Sequence, residues 1–284
     1  MSQPGELISV SELQHLLESD SCRVVDCRFD LFDRDKGRQE YLAGHIPGAV
    51  YADMDRDLAS EVKPDTGRHP LPEVGEFQST LAKWGIGNRT RVVAYDSGNG
   101  SLAVRLWWML RWLGHERVSV LDGGLSAWTG AGLPTETREP DYPTAEFCPS
   151  PDASMIVTTE EIAQALADGS GLCLIDARDA ARFRGDKEPI DSVAGRIPGA
   201  RNLPFARNLD GDGKWRSPAE LAALWKEVVS DEQGSDVTVM CGSGVTACHL
   251  ILSAAQAGRA MPRLYVGSWS EWIRDENRPV ARGD

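Results

Sequence analysis

Along the chain, short apolar runs rich in β-branched residues alternate with stretches whose apolar residues recur at helical spacing. "RVVDC" (23–27), "RVVAYD" (91–96) and "VSVLDGG" (118–124) read as strands, and "SLAVRLWWMLRWLG" (101–114) reads as a helix with a core-facing apolar stripe. In the second half "LCLID" (172–176) and "DVTVM" (236–240) repeat the strand pattern, and "VTACHLILSAAQAG" (245–258) repeats the helical one. Strands that alternate with helices in this way form a parallel sheet covered by helices, so an α/β fold is expected.

The pattern occurs twice. "RVVDCRFD" followed by "YLAGHIPGAVYADMD" matches "LCLIDARDAARFRG" followed by "VAGRIPGARNLPF", and Asp26 to Asp176 and Pro47 to Pro198 keep a nearly constant offset. Further on, Asp96 aligns with Cys241 and Trp128 with Trp272. Four landmarks in the same order mean a duplicated domain. Between the copies, "TGAGLPTETREPDYPTAEFCPSPDAS" is rich in Pro, Thr and Asp and lacks periodicity, as a surface linker would. The expected division is a first domain over 1–130, a linker over 131–155 and a second domain over 156–284.

Composition narrows the function. Of 284 residues 41% are hydrophobic and 26% charged, enough apolar material for sizeable cores. The net charge of -13 argues against broad binding to nucleic acid or anionic membranes, both of which need basic surface. The first twenty residues have neither a basic stretch nor an unbroken apolar one, so no signal peptide is expected, and no run is long enough to span a bilayer. The six cysteines are scattered without a C-x-x-C pair, which reads as reduced cytoplasmic thiols. With scattered cysteines and no His pair at helical ligand spacing, no metal is expected, and the chemistry read below needs no organic cofactor.

One stretch carries chemistry. "CGSGVTAC" (241–248) puts Cys241 at the end of an apolar strand and before a helix. Thiols ionise more readily near helix N-termini, where unpaired N–H groups favour negative charge. Gly242 and Gly244 let successive amides curve around a sulfur as an anion nest. A buried cysteine closing a core strand is the bland alternative. The first copy weighs against it: at the same turn it reads "YDSGNG", with Asp96 for Cys241, so packing does not require the cysteine.

"GHIPGA" (44–49), "GRIPGA" (195–200), "LDGGLSAW" (121–128), "CGSGVTA" (241–247) and "YVGSWSEW" (265–272) together resemble the tandem-domain sulfurtransferases of the rhodanese superfamily. The resemblance implies two rhodanese-like domains, of which only the second is catalytic, and sulfur transfer through a Cys241 persulfide. Gly-Ser-Gly after the cysteine is similar to 3-mercaptopyruvate sulfurtransferases, whereas thiosulfate enzymes typically have basic or polar residues there. It implies 3-mercaptopyruvate as donor, with thiosulfate as the alternative, and a thiol such as thioredoxin, or cyanide, as acceptor.

By motif position the resemblance assigns Cys241, Ser243, His69 and Asp55 to catalysis, with Ser243, His69 and Asp55 as a proton relay. Gly242, Gly244, Val245 and Thr246 would line the substrate, and Arg182 would bind its carboxylate through paired hydrogen bonds. The second arginine common in the family is missing from "DKEPIDSVAG" (186–195), which leaves Arg196 as the candidate replacement. His45 and the aspartates of "DCR" and "DAR" are read as structural. Cys248, seven residues after Cys241, is read as core packing. A phosphatase of related fold would need an arginine where the chain has Ala247. The rival of a different class is a non-enzymatic sulfur carrier or partner-binding module.

Overall fold

The computed structural model of the chain describes residues 5–18, 22–229 and 237–283. Met1–Pro4, at the start of the segment judged for a signal peptide, and Asp236, the first residue of the expected "DVTVM" strand, lie outside them. Two compact units emerge, each an α/β layer structure around its own parallel sheet. The first comprises Met1–Ser60, Leu71–Asp152 and Gly211–Trp215, the second Glu61–Pro70, Ala153–Asp210 and Arg216–Asp284. Residues 61–70, which in sequence fall within the first copy, therefore belong to the second unit.

In the first unit β1 (Leu7–Ile8), β2 (Cys22–Asp26), β3 (Ala49–Tyr51), β4 (Arg91–Tyr95) and β5 (Val118–Leu121) pair in parallel in the order β1-β5-β4-β2-β3. Val24 lies opposite both Val93 and Ala49, which fixes the register by an apolar layer. The helices are α1 (Val10–Glu18), α2 (Lys36–Ala43), α3 (Val74–Lys83), α4 (Ala103–Trp112) and α5 (Gly124–Gly130). Instead of a stripe, α4 buries every residue from Ala103 to Leu110 as well as Trp112. Its two adjacent tryptophans, Trp107 and Trp108, are both fully buried, and a helix buried on successive faces is an internal one. The linker lies on this unit: Phe147 is buried, Tyr142 donates its hydroxyl to the Gly48 carbonyl at 2.7 Å, and Arg23 stacks on the Tyr142 ring.

The second unit repeats the plan. β6 (Ile156–Val157), β7 (Cys173–Asp176), β8 (Arg201–Asn202), β9 (Val237–Met240) and β10 (Arg263–Tyr265) pair in parallel in the order β6-β10-β9-β7-β8. They are joined through α6 (Thr159–Asp168), α7 (Ala180–Arg184), α8 (Pro218–Val228), α9 (Ala247–Gln256) and α10 (Ser268–Trp272). Ser217 caps α8 and Glu220 reaches back to it, with Pro218 in the first turn, the sequence signature of a helix start. Ile162, Leu174, Ile197, Met240, Tyr265 and Trp272 make its core, and β9 is buried along its whole length, as parallel strands covered on both faces must be. The order places β9 between β10 and β7. The loops leaving the carboxyl ends of three neighbouring strands therefore meet, which is where open α/β sheets hold their ligands.

Candidate functional site

Cys241 is the first residue past β9, and the loop from Cys241 to Thr246 separates it from α9. Cys248 consequently sits in the first turn of α9, fully buried, with its thiol donating to the Gly244 carbonyl. The loop is fixed by the start of α10. Cys241 N–H donates to Ser268 Oγ at 3.1 Å, Trp269 N–H to the Cys241 carbonyl at 3.0 Å, and Ser270 N–H to the Gly242 carbonyl at 2.9 Å. Ser268 adopts φ +54°, a left-handed conformation that a non-glycine residue takes only when its surroundings impose it. Gly244 has φ +77°, and a side chain there would run into the Val266 carbonyl, so this position needs glycine.

The first unit shows what this turn does with an anion. The Asp96 carboxylate, buried, accepts from the N–H groups of Gly98 and Gly100 at 3.0 Å, Leu102 at 2.9 Å and Ala103 at 3.3 Å. The α5 start holds it as α10 holds the cysteine loop: Leu125 N–H donates to the Asp96 carbonyl, and Gly124, at φ +52°, stands where the second unit has Ser268. In the cysteine loop, among the described residues, the N–H groups of Gly242, Ser243, Val245 and Thr246 donate to no protein acceptor. One nest is filled by its own carboxylate; in the other these donors remain for an anion made at Cys241.

Residues 66–69 lie against the same loop. Gly67 N–H donates to Glu271 and Arg68 N–H to Ser270 Oγ, and a Cβ on Gly67 would meet the Gly267 carbonyl at 2.6 Å, so only glycine allows this approach. This docking puts His69 Nδ1 at 2.8 Å from Ser243 Oγ, in a hydrogen bond whose donor depends on the imidazole tautomer. Both residues are buried, as is Cys241, which is 2% exposed. A buried imidazole on a hydroxyl two residues from a thiol is a route for a proton.

Arginines supply the positive charge. Arg182, on α7 after β7, directs Nε to both Glu188 oxygens at 3.0 Å and Nη2 to Asp191 at 2.9 Å. Arg68 pairs through Nη1 with the other Asp191 oxygen. Burial pushes the Asp191 carboxyl above the usual range, opposed chiefly by Arg68. Arg178 clamps Asp176 with two nitrogens and donates to the Gly195 carbonyl, and Arg28 does the same for Asp26 and Gly44 in the first unit. These two pairs anchor the repeated "IPGA" turns.

The other expected residues are placed as follows. Val245 is buried, and Thr246 precedes α9 without a side-chain cap bond. Arg196 bridges to Ala281, stacks on Phe183 and donates to the Gly283 carbonyl, so its guanidinium is committed to the C-terminal segment. Asp55 belongs to the first unit, where it pairs with Arg34 at 3.3 Å. His45 is buried, stacked on Tyr41 and bonded to the Tyr41 and Arg138 carbonyls. Sequence reasoning missed Arg68, Glu188, Asp191 and Ser268. Arg68 stands beside His69 in "GRHPLP", a signal that could have been followed.

Comparison with known proteins accords with this geometry. The rhodanese-like domain family matches residues 9–131 and 158–275. A Pseudomonas aeruginosa protein named "Probable 3-mercaptopyruvate sulfurtransferase" is 44% identical over 282 residues, 99% of each chain. The thiosulfate sulfurtransferase of Cricetulus griseus is 36% identical over 279 residues, 94% of this chain and 91% of that one. The solved 3-mercaptopyruvate sulfurtransferase from Leishmania major superposes with a TM-score of 0.83 at 35% identity, covering 94% of this chain and 74% of that chain. Matched twice along its length, with two parallel sheets and a cysteine loop after the central strand of the second, the chain belongs to the rhodanese family.

Proposed function

We propose that the chain is a sulfurtransferase that takes sulfur from 3-mercaptopyruvate and passes it to a thiol. The observation that carries the donor is the Ser243–His69 hydrogen bond beside Cys241. The Cys241 thiolate attacks the donor sulfur, the carbon–sulfur bond breaks, and its electron pair leaves with pyruvate as the enolate. Cys241 keeps the sulfur as a persulfide, and the enolate carbon takes up one proton to give pyruvate. Ser243 and His69 move that proton. Thiosulfate would leave as sulfite and needs no proton at carbon, so a buried serine–histidine couple favours the keto-acid donor.

The unspent amides of the 241–246 loop support a persulfide anion at Cys241, as their counterparts hold Asp96. An acceptor thiolate, thioredoxin being a suitable one, then attacks the outer sulfur and releases the Cys241 thiolate. Asp96 in place of a cysteine leaves the β4–α4 turn of the first unit without a nucleophilic sulfur. The compartment we assign is the cytoplasm, in keeping with the free thiols of Cys27, Cys173 and Cys241; no helix among the described residues is long and apolar enough to cross a membrane.

The test is steady-state turnover with 3-mercaptopyruvate and with thiosulfate, wild type against Cys241→Ser, together with the intact mass after donor alone. Preference for mercaptopyruvate, one added sulfur in the wild type and none in the variant are expected. A thiosulfate preference would overturn the donor, and sulfur uptake without turnover would make the chain a carrier.

A further inference from the structure

The segment that carries His69 is held, within the second unit, by one short helix and the turn after it. Arg274 Nε, just past α10, donates to the Thr66 carbonyl at 3.1 Å, Glu271 accepts from Gly67 N–H at 3.2 Å, and Ser270 Oγ accepts from Arg68 N–H at 3.0 Å. The same helix holds the nucleophile, through Ser268 Oγ and the N–H groups of Trp269 and Ser270. The cysteine loop and the imidazole are thus indexed to one element.

Glu271 reaches further into the unit. Its other carboxylate oxygen accepts from the buried Thr159 hydroxyl, and Thr159 Oγ1 lies 2.7 Å from the buried Tyr265 hydroxyl. A carboxylate only accepts, so the Thr159 hydroxyl donates to Glu271 and its oxygen accepts from Tyr265, whose phenol burial keeps protonated. The chain runs in one direction, Tyr265 to Thr159 to Glu271, and Gly67 N–H closes it on the second carboxylate oxygen.

The first unit shows that the fold does not need this chain. Ile8 pairs with Leu121 as Val157 pairs with Tyr265, so Leu121 stands for Tyr265 and Val10, two residues past Ile8, stands for Thr159. Counted from Gly124 and Ser268, the starts of α5 and α10, Ala127 stands for Glu271. Leucine, valine and alanine suffice in one copy; tyrosine, threonine and glutamate occupy the same places in the copy that has an imidazole to place.

We propose that Glu271, oriented by Thr159 and Tyr265, is a positioning residue that fixes residues 66–69 and so keeps His69 on Ser243. This rests on the sulfur-transfer reading above, in which the imidazole moves a proton. Glu271 acts through the Gly67 amide, two residues from His69, and a displacement of about 1 Å at an acid–base group costs about 100-fold in rate.

The experiment compares wild type, Glu271→Ala and Glu271→Gln, each with and without His69→Gln, in turnover of 3-mercaptopyruvate. Glu271→Ala, which installs the first unit's residue, is expected to lower kcat about 100-fold. Glu271→Gln should stay within about threefold of wild type, because its amide oxygen still accepts from Gly67 while its NH2 donates to Thr159. In the His69→Gln background Glu271→Ala should change kcat less than about twofold, since the group it positions is gone; a merely structural residue would cost as much there as in the wild type. Full activity in Glu271→Ala, a glutamine variant as slow as the alanine one, or an undiminished loss in the His69→Gln background overturns the proposal. In parallel, amide hydrogen exchange is followed in wild type and Glu271→Ala without donor. Residues 66–69 should exchange about 10-fold faster or more in the variant while β9 keeps its protection. That result supports the positioning of the segment even if the wild type fails to turn over mercaptopyruvate, an outcome that defeats the sulfur-transfer reading alone; unchanged exchange at 66–69 overturns the positioning.

Discussion

Ser243 and His69 are buried and bonded to each other, so in the proposed proton relay each depends on the other. Replacing either, as Ser243→Ala or His69→Gln, is expected to lower kcat with mercaptopyruvate about 100-fold, the usual contribution of a positioned acid or base. In the relay proposed above the two act as one unit, so the double variant should be no slower than the slower single one, and rates with thiosulfate should change little. Ser268 is a different kind of residue. It holds the Cys241 amide from a left-handed backbone, at a place where the first unit uses Gly124. Ser268→Ala loses the hydrogen bonds and keeps the strain, whereas Ser268→Gly loses the bonds and relieves it. Glycine should therefore be more stable than alanine by about 1 kcal/mol in thermal or urea unfolding, the reverse of the ordinary order, while both lose activity.

Each strand-to-helix turn is the unit in which the duplicated element diverged. The β4–α4 turn closes on its own carboxylate, so Asp96 is a structural anion. Asp96→Ala leaves several buried N–H groups without an acceptor and should cost about 3 kcal/mol in denaturant unfolding, with sulfate restoring part of it by binding in the vacated nest. In the β9–α9 turn, among the described residues, the N–H groups of Gly242, Ser243, Val245 and Thr246 donate to no protein acceptor, which is the condition for holding charge at Cys241. This much was legible from "CGSGVTAC" set beside "YDSGNG", because glycine spacing and the strand before it are local properties. The extent of α4 burial was not: its apolar periodicity marks one face, and only the packing around Trp107, Trp108 and Arg105 shows that every face is covered.

For the molecule as a whole, acid sensitivity is expected from a residue of the first unit, outside the unit that carries the cysteine loop. His115 is buried against Phe147, and desolvation lowers its pKa from 6.5, outweighing the Thr90 and Arg117 backbone groups. The folded ring therefore takes up its proton at a lower pH than the unfolded chain, whose histidine titrates at the ordinary value. The unfolded state then binds more protons, so stability falls as the pH drops through that value. In His115→Phe the fall in unfolding free energy from about pH 6.5 to 5 should be shallower than in the wild type, whatever the absolute stability. An equal slope would place the acid sensitivity elsewhere.

By itself the sequence determined the α/β class, the duplication and the chemically distinct turn of the second copy. Each follows from periodicity, glycine placement or the comparison of one half with the other, all of which are short-range or self-referential. Only the tertiary structure decided which charges meet at that turn. Arg68 reaches Asp191 and Gly242 because residues 61–70 fold into the second unit, and Arg196, nearer in sequence to the loop, is drawn away to the C-terminal segment. Nothing in residue type or spacing ranks one arginine over the other. An arginine's role depends on which carboxylates and backbone atoms it is packed against, and those are brought together by sheet order and by docking of loops distant in the chain.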